Sequence, residues 1–92
     1  MLIALDFDGT YTEDPGFWDL VIDAALYRGH RVICATMRHE HEGADVIAAM
    51  GKRGIEVIFT ARAAKLPHLS DMGIQPDVWI DDQPAWIFEA SR

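Results

Sequence analysis

Four short apolar runs punctuate the chain: Leu2 to Leu5, Arg31 to Ala35, Ile55 to Phe59 and Val78 to Ile80. They are rich in aliphatic residues and nearly unbroken by polar ones, which is how strands buried on both faces read. Between the first two runs, Phe17, Leu20, Val21, Ala24 and Ala25 recur at helical spacing. Asp14 stands as their N-cap, Pro15 follows it, and Gly29 closes the segment, so a helix with both ends marked is expected there. Val46, Ile47, Ala49 and Met50 predict a second helix, ended by Gly51 or Gly54. A shorter third helix is expected to begin near Pro67 and stop before Gly73. A fourth begins at Pro84, with Asp82 placed to cap it.

Strands alternating with helices imply a parallel sheet, right-handed crossovers and helices on both faces. The expected architecture is a small Rossmann-like three-layer α/β/α fold around a four-stranded parallel sheet. Such sheets bind ligands beyond the carboxyl ends of their strands, near the point where strand order reverses. Every apolar run here terminates in polar groups: Asp6 and Asp8 after the first, Thr36 after the second, Thr60 after the third, Asp81 and Asp82 after the fourth. If the first and fourth strands are neighbours, four carboxylates share one small volume.

The chain has 92 residues, half of them hydrophobic, which fits a single domain over residues 1–92. A domain of this size buries only roughly 60 to 65% of its unfolded surface, so a homodimer that supplements its stability is an open expectation. The net charge of −7 argues against sequence-independent binding to nucleic acid or anionic lipid. Cys34 is the only cysteine, so neither an intrachain disulfide nor a multi-cysteine zinc site can form, and a cytoplasmic location is expected. The run from Met1 to Leu5 is cut off by Asp6 and Asp8, too short for a signal-peptide core or a membrane span. His39-Glu40-His41-Glu42 lacks the i, i+4 histidine spacing of a helical metal pair and reads as a solvated loop or first helical turn. Cys34 and the three tryptophans, Trp18, Trp79 and Trp86, read as packing residues.

Two unit charges about 4 Å apart repel by roughly 4 kcal/mol at an effective dielectric near 20, so Asp6, Asp8, Asp81 and Asp82 cannot sit together unassisted. A bound dication, a cationic side chain and partial protonation are the available remedies. Hard oxygen donors without nitrogen or sulfur favour Mg²⁺, and a metal held by carboxylates points towards phosphoryl chemistry.

Asp6-Phe7-Asp8-Gly9-Thr10 resembles the first motif of the haloacid dehalogenase-like (HAD) superfamily, most of whose members are magnesium-dependent phosphatases. Val32-Ile33-Cys34-Ala35-Thr36 is similar to the second motif, a hydrophobic strand ending in Thr or Ser. Lys65 lies where the third-motif lysine is expected, and Val78-Trp79-Ile80-Asp81-Asp82 resembles the fourth motif, a strand ending in paired acids. The four occur in the family's order across residues 2 to 82. The resemblance implies a HAD-like fold in which Asp6 is the nucleophile, forming an aspartyl-phosphate, and Asp8 is the acid and base. It also implies Mg²⁺ held by the Asp6 carboxylate, the Asp8 backbone carbonyl and the fourth-motif acids Asp81 and Asp82, one of these two being the direct ligand, with Thr36 and Lys65 on the phosphoryl oxygens. Arg38 and Arg62 are candidates for contact with an anionic leaving group.

Cap domains in that superfamily are inserted after the first motif or the third strand. Here six residues separate Asp8 from Pro15, and the third strand runs almost directly into Lys65, so no cap fits. The expected activity is a Mg²⁺-dependent phosphatase acting on phosphomonoesters of unassigned identity. The alternative is a catalytically weak metal- or phosphate-binding module serving as a subunit of a larger assembly. Dehalogenation needs neither a second-position acid nor a metal, so Asp8 and the paired acids argue against it.

Overall fold

The computed structural model describes residues 1–91. The four apolar runs form strands β1 (Leu2–Leu5), β2 (Arg31–Thr36), β3 (Glu56–Phe59) and β4 (Val78–Ile80). Between and after them lie helices α1 (Pro15–Tyr27), α2 (Ala44–Gly51), α3 (Lys65–Asp71) and α4 (Ala85–Phe88), with short 3₁₀ turns at Tyr11–Glu13 and Glu40–Glu42. All strand pairs are parallel and the order across the sheet is β3-β2-β1-β4. The chain thus moves outward from β1 to β3, then returns to the other side of β1, which puts the reversal point between β1 and β4.

Each strand feeds both faces, as their unbroken apolar character requires. Leu5, Val32 and Cys34 lie under α1 and α2, against Ile22, Ala25, Val46 and Met50. Ala4, Ile33, Ala35 and Ile58 form the opposite layer with Leu69 of α3, and Trp79 and Ile74 pack at its margin. Helix α4 lies beside α3. The radius of gyration, 12.2 Å, matches the ~12 Å of one compact unit of this length. This is the expected Rossmann-like α/β/α architecture. Among the described residues no element stands outside the three layers as a cap, and no helix is long and apolar enough to cross a membrane.

Helix α1 departs from the expected stripe. Phe17 and Leu20 are 51% and 69% exposed, whereas Ile22 and Ala25 are buried and Trp18 and Val21 half-buried. The helix is rolled by about one residue, and polar ties hold that roll: the Tyr11 hydroxyl donates to Asp19 (2.7 Å), and Arg53 pairs with Asp19 and Asp23. The cap is as expected, with the Asp14 carboxylate accepting from Phe17 N. Helix α3 starts at Lys65, so Pro67 falls within its first turn, where a missing N–H breaks no helical bond. Helix α4 starts at Ala85, with Pro84 before it and no side-chain cap, so Asp82 does not have the capping role expected of it. His39–Glu42 is a solvated turn in which the Glu42 carboxylate accepts from His39 N (2.9 Å).

The observed roll of α1 makes a direct prediction. Ile22→Ala should cost about 2–4 kcal/mol in urea unfolding, whereas Leu20→Gln should stay within about 0.5 kcal/mol of wild type. Equal costs at the two positions would contradict the observed face.

Candidate active site

Pairing of β1 with β4 puts Leu5 opposite Ile80, and Asp6 N donates to Ile80 O (2.9 Å), so the ladder runs one residue past the strand ends. Asp6 and Asp81 therefore leave the sheet side by side. Lys65, the first residue of α3, reaches between them, with Nζ 2.7 Å from Asp6 Oδ1 and 2.5 Å from Asp81 Oδ2. Its side chain is only 2% exposed, and Asp6 and Asp81 are nearly as enclosed. Asp81 Oδ1 accepts from Gln83 N (2.9 Å), so both of its oxygens are engaged.

A buried ammonium between two carboxylates is electrostatically unbalanced, and the ionisation equilibria reflect this. Burial pushes the Asp6 carboxyl up to about 6 from its ordinary 3.8, and the opposing pull of Lys65 only partly offsets it. For Lys65, burial alone would push the ammonium down, but Asp6 and Asp81 outweigh it and the net shift is upward.

Asp82 joins from the other side. Thr10 Oγ1 stands 3.1 Å from Asp6 Oδ2 and 3.2 Å from Asp82 Oδ1, and accepts from Asp82 N (3.1 Å). A hydroxyl has one hydrogen, so Thr10 serves one of the two carboxylates at a time. The approach of Asp82 depends on Gly9: its φ is +80°, and a Cβ there would overlap the Asp82 carboxylate. Carboxylate oxygens of Asp6, Asp81 and Asp82 come within 4.8 Å of one another.

The fourth acid does not join them. Both Asp8 oxygens accept from Arg38, with Nε to Oδ2 at 2.8 Å and Nη2 to Oδ1 at 2.7 Å. Arg38 Nη1 donates further to Asp45 Oδ1 (2.6 Å) and Glu42 O (2.9 Å), and the guanidinium lies 5.3 Å from the centroid of the Phe7 ring. Three carboxylates, not four, share the small volume, because the bidentate guanidinium draws Asp8 aside. The same bonds occupy most of the donors of Arg38, leaving it little capacity to take up an anionic leaving group.

Thr36 is buried at the end of β2, its hydroxyl accepting from Arg38 N (3.3 Å). Arg62 follows β3 and is held loosely, at 3.4 Å from Met37 O and 3.5 Å from the Glu42 carboxylate. Asp6, Asp8, Thr36, Arg38, Arg62 and Lys65 all line a cavity of about 90 Å³. Asp81 and Asp82 face a second, more open concavity of about 320 Å³ with Gly9, Thr10, Glu13 and Trp18. Asp6 and Lys65 thus face two arginines, one of them paired with Asp8, on one side, and the other side is acidic. A larger groove of about 390 Å³ beside β3 is lined by none of these groups.

The expected site residues therefore converge, with the Asp8 side chain in the smaller cavity and not among the clustered acids. The sequence does not foretell the bridging role of Thr10, the hold of Asp45 on Arg38, or Trp86 in the lining of the smaller cavity. Thr10 is visible within the DxDGT string, as a hydroxyl four residues from Asp6. Asp45 carries no signal of its own. Cys34 is buried, as expected, and its thiol is pushed up to about 12, chiefly by burial.

Against protein-family models, curated proteins and solved structures, the chain gives no match. The electrostatics of Asp6 can be tested on the protein alone. Unfolded, Asp6 ionises near 3.8, and folded near 6, so the stability its protonated form contributes is present below pH 4 and lost as pH rises through 6. The loss is on the order of 3 kcal/mol. In metal-free buffer, Asp6→Asn should be more stable than wild type at pH 7, and the gap should close as pH falls towards 4. Urea unfolding across that range checks it, and a gap independent of pH would contradict the burial penalty.

Proposed function

We propose that the chain is a capless, magnesium-dependent phosphatase of the HAD type that hydrolyses phosphomonoesters through a phospho-Asp6 intermediate. The observation that carries this reading is the bridge from Lys65 to Asp6 and Asp81. It joins three of the four stretches that resemble the superfamily's motifs, and the fourth contributes Thr36 to the same cavity.

The donor set suits Mg²⁺: three carboxylates, all hard oxygen donors, with neither histidine nor cysteine among them, and a glycine that leaves room for Asp82. Asp81 is held on both oxygens, by Lys65 and by Gln83 N, whereas the single Thr10 hydrogen leaves an oxygen of Asp6 or Asp82 open. Asp6 and Asp82 would therefore hold the ion, with the Asp8 backbone carbonyl, and Asp81 would hold Lys65. When bound, the dication offsets charge on the acids and on the phosphoryl oxygens.

The remaining steps belong to this chain's own residues. A carboxylate oxygen of Asp6 attacks phosphorus, the bond from phosphorus to the leaving oxygen breaks, and that oxygen takes a proton from Asp8. Water then attacks the phosphorus and gives a proton to Asp8. The bond between phosphorus and Asp6 breaks, releasing phosphate and restoring the carboxylate. The Lys65 ammonium and the Thr36 hydroxyl donate to the phosphoryl oxygens. Asp8 accepts from Arg38 through both oxygens, so to carry a proton it must release at least one of those bonds.

That requirement favours a second reading, a binding module with little turnover, serving within a larger assembly, in which Arg38 never lets Asp8 go. Turnover separates the two. Hydrolysis of p-nitrophenyl phosphate should require Mg²⁺ and fall on the order of a thousandfold or more in EDTA or in Asp6→Asn. Activity that survives both treatments removes the mechanism, and uptake of beryllofluoride without any turnover establishes the binding module. Gly9→Ala, strained by its positive φ and crowding Asp82, should weaken Mg²⁺ binding measured by calorimetry and lower stability by about 1 kcal/mol or more.

A further inference from the structure

The cavity holding Asp6, Thr36 and Lys65 measures about 90 Å³, room for a phosphoryl group and little else. Whatever is esterified to phosphorus must lie across its mouth. Beside Asp8, which protonates the leaving oxygen, the lining residues that can meet it there are Arg38, Arg62, Trp86 and Ser91. Arg38 is committed to Asp8, Asp45 and Glu42 O. Arg62 is not: its side chain is 47% exposed, and its contacts lie at 3.4 Å and beyond.

The backbone carrying Arg62 is nevertheless fixed. Ala61 and Arg62 both hold positive φ, 52° and 73°, a conformation uncommon for residues with side chains. Hydrogen bonds keep them there, from Arg62 N to Met37 O (2.9 Å) and from Ser91 N to Arg62 O (2.9 Å). The second bond ties the C-terminal segment to the Arg62 loop and so brings Trp86 to the same mouth. Trp86 is 40% exposed, while its neighbour Ile87 is buried and anchors α4. The leaving group thus meets an indole and a loosely held guanidinium, two planar groups suited to stacking and cation–π contact.

Resting on the phosphatase reading, we propose that the substrate is a phosphomonoester whose leaving group carries a planar aromatic ring, stacked on Trp86 and flanked by Arg62. Trp86 is then a specificity residue of the site, not a packing residue alone.

Two ligand pairs test this: a nucleoside 5′-monophosphate against methyl riboside 5-phosphate, and O-phosphotyrosine against O-phosphoserine. Dissociation constants are measured by calorimetry without Mg²⁺, and kcat/KM with it. In at least one pair the ring-bearing member should bind about tenfold tighter, the effect of a single ring stacked on an aromatic side chain, and which pair shows it identifies the source of the ring. Trp86→Ala should bring that ratio close to one, and Trp86→Phe should keep most of it. Phe88→Ala, on the same helix but outside the cavity lining, should leave it unchanged. Ratios near one in both pairs for wild type, or a ratio that survives Trp86→Ala, overturn the proposal. If the binding ratio holds while none of the four compounds is hydrolysed, the ligand class stands and the phosphatase reading fails. Hydrolysis without a binding ratio upholds the phosphatase reading and overturns the ligand class.

Discussion

The arrangement of this protein's site depends on one buried ammonium held between two carboxylates. Lys65, Asp6 and Asp81 come from α3, β1 and β4, three elements far apart in sequence. Strand β4 has only three residues and lies at the sheet edge, so its ladder with β1 is short. The ionic bridge adds a second tie across the same pair of strands, at the end where backbone pairing stops. Taking charges out of water is costly, and loss of the Lys65 ammonium would leave two buried carboxylates uncompensated. The three residues therefore act as one unit, and the strand order that lets them meet is as necessary as the residues themselves.

That unit also gives the site its polarity. On one side of Lys65 lie Thr36, Arg62 and the Arg38–Asp8 pair, and on the other Asp81, Asp82 and Glu13. In the proposed reading an anion and a cation would be taken up on opposite sides of the same Asp6 carboxylate. Strand order produces this division: β2 and β3, on one flank of β1, end in Thr36 and in the loop of Arg62, whereas β4, on the other flank, ends in paired acids. A phosphoryl group and a divalent metal have the charges such a divided site would accept, and this is the electrostatic basis of the proposed activity.

Much of this is legible in the sequence, because buried parallel strands and their polar termini leave a strong signal. Runs such as Val32 to Ala35 must bury both faces, and polar residues directly after them can only gather at the carboxyl edge of the sheet. Side-chain partnerships leave much less. Helix α1 is apolar on more than one face, so residue identity does not reveal that Trp18, Ile22 and Ala25 turn inward while Phe17 and Leu20 remain exposed. The roll depends on Tyr11, Asp19 and Arg53, which are distributed over three segments. Asp82 has the residue type of a helix cap, yet a backbone that turns at Gly9 brings Thr10 within its reach and the carboxylate goes there instead. By sequence Asp8 belongs with the other acids, but whether a carboxylate joins a cluster or leaves it is decided by the nearest guanidinium, and Arg38 lies thirty positions away in sequence.

The site is also where this fold gives up stability. The two apolar layers are closed over Ile33, Cys34, Val46 and Leu69, all without exposure, and they supply the driving force. At the strand tips the balance reverses: folding raises the Asp6 carboxyl to about 6, so at neutral pH the folded state holds a charge it resists. Two consecutive residues with side chains, Ala61 and Arg62, sit in left-handed backbone a few residues from Lys65. Neither feature helps a small domain to fold, and both lie within one cavity lining or beside it. Strain and unfavourable charge concentrated at one place, on a scaffold otherwise consistent from local pattern to core, mark the positions where the sequence meets a demand other than stability. A nucleophilic carboxylate must be desolvated yet ionised, and a substrate-facing arginine must be fixed in its backbone yet free at its tip. Asp6 is desolvated and Arg62 is fixed in its backbone and loosely held at its tip, so the cost to folding and the proposed chemistry fall on the same residues.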